Sequence, residues 1–233
     1  MYRSVYYIPS GTIIVKQAIS SESRMNSERG RPRAFEHDKA LDSAMEIFWK
    51  HGYQAASLAD LTRAMNLNKP SLYAAFGNKE KLYLACLQRY QSNHLDSIAE
   101  SLESEPSARI AIANYLNSFA ELFINPKLPG GCFVVNGTAD VALPSTPTQV
   151  IEALQGASSS LNSTLEARIA RAVDDRQLSS NTCVNELTML YVAVIGGMAL
   201  LAHVGSDAQA LKAVVSGAMS KWPESDHTKS NDT

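Results

Sequence analysis

The segment LNKPSLYAAFGNKEKL at residues 67–82 concentrates side chains that form hydrogen bonds with nucleic acids. Amide, ammonium and hydroxyl groups are the donors and acceptors that proteins use on DNA phosphates and base edges. A proline within the first turn of a helix costs little, because its missing amide has no helical partner there. The segment therefore predicts a short helix whose leading end contacts nucleic acid, through Asn68, Lys69, Pro70, Ser71 and Tyr73.

Three helix starts are predicted close together, at Ser57, Asn68 and Asn78. Ser57 with Asp60 has the S-x-x-D spacing of a capping box, and Asn is also a preferred N-cap. Because helix N-termini attract anions, we expect the ends at Ser57 and Lys79 to bind phosphates on either side of a groove. The helix between them would then contact bases, as the second helix of a helix-turn-helix does.

A basic run, RGRPR, precedes these helices at residues 29–33. It has the Arg-Gly-Arg-Pro core of a minor-groove-binding AT-hook. Arginine is favoured in narrow A·T-rich minor grooves by their enhanced negative potential. The run predicts that Arg31 and Arg33 form an arm that inserts into the minor groove.

Charge and cysteine content are consistent with a DNA-binding front part in a reducing compartment. Residues 29–89 hold ten Lys/Arg and six Asp/Glu, a net charge of +4, and residues 90–233 hold eight and fifteen, a net charge of −7. Only the front part is therefore expected to meet a polyanion. Three widely separated cysteines without a CxxC motif argue against a disulfide framework and a structural zinc site, and for a cytoplasmic location.

Apolar residues recur with helical periodicity along nearly the whole chain, which predicts an all-α fold. We expect a disordered extension over 1–28, with Met25 as an alternative translation start, and a disordered tail over 223–233. Between them we expect a three-helix helix-turn-helix domain over 29–78 and a larger helical effector-binding and dimerisation domain over 79–222. The expected helices begin at Asp38, Leu58 and Asn68 and then span about 79–103, 107–124, 132–142, 148–172, 181–203 and 207–220.

Residues 38–84 resemble the DNA-binding domain of TetR-family transcriptional regulators. The resemblance rests on a hydroxyl residue opening the second helix, Ser57, and on the steps Leu72-Tyr73-x-x-Phe76 and Lys79-x-x-Leu82. Asn66 stands where the family usually has glycine, and asparagine tolerates the left-handed turn geometry that this position requires.

The resemblance implies a homodimeric repressor, without cofactor, that leaves a palindromic DNA operator when an unknown small molecule binds the rear domain. The last long helices would form the dimer interface, through Leu190, Val194, Gly197 and Leu201. The uncharged run Leu187–Val204 is marginally long for a membrane span, but its glycines and lack of flanking Lys/Arg favour a buried helix of a soluble protein. No membrane partner is predicted.

Cys132 is the most chemically suggestive residue of the rear domain. It follows Pro-Gly-Gly at a predicted helix N-terminus, where a thiol pKa is often lowered. Some TetR-family repressors with Gly-Cys at this point look like sensors of electrophiles or oxidants. The alternative is that Cys132 is a small buried residue that only packs.

Other rear-domain residues are weaker candidates for a ligand site. Tyr115, Phe119 and Phe123 recur at i, i+4 and i+8, as cavity-lining or ordinary core residues do. Asn136 and Asp140, also four apart, would supply polar contacts inside a cavity or face solvent.

Two other functional classes are alternatives to an effector-responsive repressor. A cysteine-nucleophile enzyme would pair Cys132 with His94 or His203, but no orienting partner or oxyanion site is visible from spacing. An architectural DNA-binding protein would not need the large acidic rear domain. Cys132, Cys183 and the two histidines lack metal-ligand spacing, so neither an enzyme nor a metal site is predicted.

Overall fold

The computed structural model describes residues 30–223, with side chains from Glu36 onward. The expected disordered extension, the alternative start at Met25 and nearly all of the expected tail lie outside these residues. The described part is all-α and contains no strand. Its helices are α1 Gly30–Ala55, α2 Leu58–Ala64, α3 Lys69–Phe76, α4 Lys79–Tyr90, α5 Asp96–Ser104, α6 Ala108–Phe123, α7 Phe133–Val141, α8 Thr148–Asp174, α9 Val184–His203 and α10 Ala208–Met219.

The three predicted N-caps are confirmed. The Ser57 hydroxyl accepts from the Asp60 amide at 3.1 Å and donates to the Asp60 carboxylate at 2.6 Å. Asn68 and Asn78 accept, through their side-chain oxygens, from the amides three residues later, at 2.8 Å and 2.7 Å. Each bond satisfies one of the amides that a helix start leaves without a partner.

The turns between these helices also follow from local sequence. Gly52 has φ 74° and ψ −177°, which interrupts α1 just before its end, as predicted. Asn66, in the turn between α2 and α3, has φ 52°. Asparagine is one of the few residues with a side chain that tolerates this left-handed region, so it replaces the usual glycine without disrupting the turn.

The long helix expected over residues 79–103 is interrupted by a π-helical turn, Gln91–Leu95, between α4 and α5. Tyr90 and Leu95 are both buried although they lie five positions apart. In a continuous α-helix these two side chains would point about 140° apart, given 3.6 residues per turn. The wider π turn absorbs the extra residue and keeps both side chains in the core.

Buried Arg168 joins α8 to the corner between α5 and α6. Its guanidinium donates to the carbonyl oxygens of Leu102 at 2.9 Å, Glu105 at 3.1 Å and Pro106 at 3.2 Å. Carbonyls at a helix C-terminus lack helical partners. A cation there both donates hydrogen bonds to them and interacts favourably with the helix dipole. The arginine therefore fixes the end of α5 on the effector-domain core.

Helix α9 is buried on one face only, although it is apolar on more than one face. It is the one helix of the described chain that is long and apolar enough to span a membrane by length and composition. Its inner face, which includes Tyr191 and Met198, packs on the core, whereas its outer face leaves apolar side chains in solvent. The exposed large residues of this outer face are Met189, Leu190, Leu200, Leu201 and Val204.

Candidate DNA interface and effector cavity

The leading end of α3 projects from the protein as predicted. Asn68, Lys69, Pro70 and Ser71 are exposed, and the Tyr73 side chain is 43% exposed. The opposite face is anchored, because Leu72 is fully buried and the Phe76 ring stacks on His37 with 4.5 Å between ring centroids. The exposed Ala74 and Ala75 keep the outer surface of the helix narrow. These features match a helix that enters the major groove of DNA.

The start of helix α2 is less favourable for an anion than the sequence predicts. The Ser57 hydroxyl is engaged with Asp60, whose carboxylate lies in the first turn and pairs with Arg63 at 3.2 Å. The hydrogen bond from Ser57 is the main cause that lowers the pKa of Asp60, so this carboxylate stays ionised at neutral pH. A phosphate at this helix start would therefore contact the free amides beside a negative charge, which weakens the prediction made for Ser57.

Lys79 does not extend into solvent as a phosphate-binding residue would. Its ammonium group donates to the Gln54 carbonyl oxygen at 3.4 Å and lies 4.6 Å from the centroid of the Tyr53 ring. Burial lowers the pKa of Lys79, and the nearby Asp140 carboxylate opposes this shift. The side chain thus ties α4 to the end of α1, and the exposed cation at the start of α4 is Lys81.

The predicted minor-groove arm falls within α1 for most of its length. The backbone is helical from Gly30, eight residues before the expected start at Asp38, so Arg31 and Arg33 lie in the first turns of a helix. Pro32 is compatible with this position because the first amides of a helix need no helical partner. The side chains of both arginines lie outside the described atoms, and their contact with DNA stays a prediction.

A cavity of about 150 Å³ lies between helices α6, α7, α8 and α9. Tyr115 and Phe119 of α6 line it together with Cys132, which immediately precedes α7. We call it the α6–α9 cavity. Three of the six candidate effector-site residues are therefore brought together around one space.

The other three candidates, Phe123, Asn136 and Asp140, do not line this cavity. Phe123 is buried against Phe119, with 5.5 Å between ring centroids, and faces a different surface groove. Asn136 donates to the Trp49 carbonyl oxygen at 3.2 Å and lies 3.3 Å from His203 Nδ1. Asn136 therefore joins α7 to α1 and α9 instead of lining a ligand site.

The expectation that helix geometry lowers the pKa of the Cys132 thiol is wrong. Cys132 does sit at the N-terminus of α7, but it is buried, and burial raises its pKa. Hydrogen bonds from Tyr90 Oη, at 3.3 Å, and from the amides of Val134 and Val135 only reduce this shift. The thiol is therefore protonated at neutral pH, as a small packing residue would be.

Alkylation by iodoacetamide should separate the three cysteines. Cys183 is exposed, whereas Cys132 and Cys86 are buried with raised pKa values. We expect rapid labelling of Cys183 at pH 7, with labelling of the buried pair only upon unfolding or at clearly alkaline pH. Mass spectrometry of quenched time points measures this order. Labelling of Cys132 as fast as Cys183 at pH 7 would contradict the buried, protonated thiol.

The residue that sequence reasoning misplaced most is Asp140, near the end of α7. This buried carboxylate accepts from the Tyr53 amide at 2.6 Å and from the Gln54 amide at 3.2 Å. The Gln54 side chain donates to the Thr146 hydroxyl at 3.0 Å, which donates to the Asp140 carbonyl oxygen at 2.7 Å. We call these four residues the Asp140 clasp. It fastens α7 to the joint between α1 and α2.

Gly52 is the backbone feature that makes room for the Asp140 clasp. A Cβ atom at this position would lie 2.5 Å from Asp140 Oδ2, and the residue that carries it would have to adopt φ +74°. Both the contact and the backbone angle exclude an ordinary side chain. The single glycine at position 52 thus marks the place where the effector domain contacts the DNA-binding domain.

The described residues show no arrangement suited to cysteine catalysis or metal binding. Tyr90, not a histidine, is the side chain that hydrogen-bonds Cys132, and His94 packs edge-on against Trp49. Burial lowers the pKa of His94. Within residues 36–223 there is also no group of three or more His, Cys, Asp or Glu side chains placed to hold a metal ion.

Two parts of the chain match known domain families. Residues 40–86 match the family described as "Bacterial regulatory proteins, tetR family". Residues 108–218 match "Tetracyclin repressor-like, C-terminal domain". The first match contains α2, α3 and the clasped joint, and the second contains the α6–α9 cavity.

Similar proteins cover most of the chain. The HTH-type transcriptional repressor ComR of Escherichia coli (strain K12) is 32% identical over 212 residues, which span 89% of this chain and 98% of ComR. The HTH-type transcriptional repressor BdcR of the same strain is 32% identical over 108 residues, 46% of this chain and 55% of BdcR. A cysteine mutant of the TetR family regulator CifR, solved with a 26-base-pair operator DNA, is 37% identical with a TM-score of 0.74, over 80% of this chain and 96% of CifR.

Proposed function

The chain belongs to the TetR family of bacterial transcriptional regulators, and from this premise we propose that it is a cytoplasmic homodimeric repressor that a small molecule releases from a palindromic operator. It is a DNA-binding regulator of transcription, as its similarity to the HTH-type repressor ComR over 98% of the length of ComR indicates. The observation that carries the proposal is the leading end of α3, where the four consecutive residues 68–71 are exposed directly before the fully buried Leu72 anchor.

The outer face of α9 supports the homodimer. A second copy of this chain would cover the exposed Leu190, Leu201 and Val204, which a monomer would leave in water. Gly197 lies in the same stripe with no atom within 4 Å of where its Cβ would be, so two helices can approach closely there. Val194 is half-buried at the edge of this stripe and also packs on the core.

Helix α7 supports a route from the effector site to the DNA-binding domain. Its first residues line the α6–α9 cavity, and Phe133 packs against Trp49 of α1 and Tyr90 of α4. Its last turn carries the Asp140 clasp. A ligand that displaces the start of α7 would therefore shift the joint between α1 and α2, which sets the position of α3.

An electrophilic effector is the second candidate, because Cys132 lines the cavity. An electrophile that enters the cavity would meet this thiol, and the raised pKa makes the reaction slow at neutral pH. If the thiol reacts, a Cys132→Ser variant loses release from DNA by electrophiles and keeps release by unreactive ligands. An equal response of Cys132→Ser and wild type to electrophiles would remove this candidate.

Substitutions at the leading end of α3 test the proposal. Lys69→Ala and Tyr73→Ala are each expected to weaken binding to DNA flanking the protein's own gene by about tenfold, the loss of one phosphate or base contact. Fluorescence anisotropy at fixed salt measures the affinity, and thermal melting should be unchanged because both side chains are exposed. Lys212→Ala, which removes an exposed lysine of α10, is the matched control. Unchanged affinity in both α3 variants would refute the proposed interface.

Leu72→Ala should act through stability instead. The side chain is fully buried, so its truncation is expected to cost roughly 2–5 kcal/mol of unfolding free energy. Urea denaturation measures this loss. A Leu72→Ala protein as stable as Tyr73→Ala would mean that α3 is not anchored as described.

A further inference from the structure

The α6–α9 cavity has a lining without formal charge. Its apolar members come from all four helices, and its polar members are a tyrosine hydroxyl, a thiol, a serine hydroxyl and an amide. Among the described residues none of the lining side chains is Asp, Glu, Lys, Arg or His. A charged ligand would lose its hydration here without gaining a counter-charge, which disfavours its binding.

The volume of the cavity limits the ligand to a small molecule. At about 150 Å³ it matches the size at which an engineered apolar protein cavity binds benzene. A molecule with roughly six to eight non-hydrogen atoms fills such a space. Larger multi-ring compounds do not fit without movement of the surrounding helices.

The Tyr115 hydroxyl is the buried polar group without a partner in this cavity. Tyr115 is fully buried, and its hydroxyl makes no hydrogen bond within the described chain. Burial is the main cause that raises the pKa of Tyr115, and the nearby Cys132 sulfur raises this pKa further. A buried hydroxyl without a partner costs free energy, which a ligand with an acceptor atom would recover.

Helix α8 contributes two further groups that can form hydrogen bonds with a ligand. Ser158 and Asn162 line the cavity, are half-buried, and make no side-chain hydrogen bond in the described structure. Phe119 of α6, Val192 of α9 and Leu165 of α8 itself supply apolar surface to the cavity. The site is thus a mostly apolar space with polar groups from α6 and α8.

We infer that the α6–α9 cavity selects a small, uncharged, mostly apolar molecule with one hydrogen-bond acceptor, which accepts a hydrogen bond from the Tyr115 hydroxyl. The inference rests on the proposed function, because that function identifies the cavity as the effector site. It adds the chemical class of the effector and the side chain that distinguishes it from a pure hydrocarbon.

Three probes of similar size separate the properties that the inference combines. Cyclohexanone is uncharged and has one acceptor, toluene is uncharged and has none, and benzoate is charged. Thermal shift and calorimetry on the full-length protein should show cyclohexanone binding most tightly, toluene more weakly and benzoate not at all. Benzoate binding as tightly as cyclohexanone, or no binding of cyclohexanone, overturns the inference.

Two tyrosine variants test the role of the hydroxyl. Tyr115→Phe keeps the ring and removes the donor, and it should weaken cyclohexanone binding about tenfold while leaving toluene unchanged, the size expected for one neutral hydrogen bond. Tyr191→Phe is the matched control, because its hydroxyl is also buried without a partner but lies outside the cavity. Equal cyclohexanone affinity in Tyr115→Phe and wild type overturns the assignment of the donor.

A cavity-filling variant and DNA binding separate this inference from the proposed function. Val192→Phe should abolish binding of both uncharged probes, and cyclohexanone binding that persists in it places the probe elsewhere and overturns the site. Operator affinity is measured in parallel without probe. A wild-type protein that shows no sequence-specific DNA binding refutes the proposed function alone. Probe binding with the wrong selectivity refutes the inference alone.

Discussion

Replacing Asp140 by alanine is expected to destabilise the protein by about 3–5 kcal/mol, because two charge-assisted hydrogen bonds are lost and the amides that made them stay shielded from water. These amides belong to Tyr53 and Gln54, at the joint between α1 and α2. Operator affinity should also fall, by about tenfold, since the clasp holds α3 in position from a distance. Urea denaturation and fluorescence anisotropy on the same protein measure the two effects.

Milder and matched variants show whether the clasp itself is responsible. Asp140→Asn keeps one acceptor oxygen, so about half of the stability loss is expected. Thr138→Ala removes an exposed hydroxyl from the same helix and should change neither stability nor affinity. If Asp140→Ala unfolds at the urea concentration of the wild type, the two hydrogen bonds do not fasten the domains together.

Introducing a charge at Gly197 is expected to dissociate the proposed homodimer while leaving the protomer folded. Apart from the adjoining residues and backbone of α9 itself, no atom lies within 4 Å of where a Cβ would be, so the protomer accommodates glutamate. Replacement of a helical glycine also favours the helix by up to about 1 kcal/mol. In the dimer, two such carboxylates would be buried against each other across the symmetry axis. We expect dimer affinity to fall about 100-fold or more, and operator binding to fall with it.

The matched control for this variant is Gly217→Glu on α10. This glycine is also helical and exposed, and no atom lies within 4 Å of its Cβ position. Analytical ultracentrifugation across a concentration series measures both variants. A Gly197→Glu protein that stays dimeric at the concentrations at which wild type and Gly217→Glu are dimeric would place the dimer interface elsewhere.

The features that depend on neighbouring residues were predictable from sequence. Ser57, Asn68 and Asn78 cap the helices expected of them, because an N-cap bond joins residues only three positions apart. The exposed leading end of α3 and the buried Leu72 follow from helical periodicity in the same way. The π turn at Gln91–Leu95 was missed, although the five-residue spacing between buried Tyr90 and Leu95 is a local signal for it.

The features that depend on distant residues were not predictable. Asp140 bonds to amides 86 and 87 positions away, so no spacing rule links them. The helix N-terminus at Cys132 is visible in the sequence, but burial, which decides the direction of its pKa shift, depends on packing by several helices. Lys79 likewise turns toward Tyr53 and Gln54 because the fold places their ring and carbonyl beside it.

The central claim is that two copies of this chain bind one palindromic operator through α3. A fluorescence anisotropy titration of the wild-type protein on DNA flanking its own gene, alongside the same DNA with one half-site scrambled, tests it most directly. We predict saturation at two protomers per palindrome, affinity that falls steeply as salt rises, and a loss of about 100-fold or more on the scrambled half-site. Equal affinity for the intact and scrambled DNA at matched salt would contradict the account.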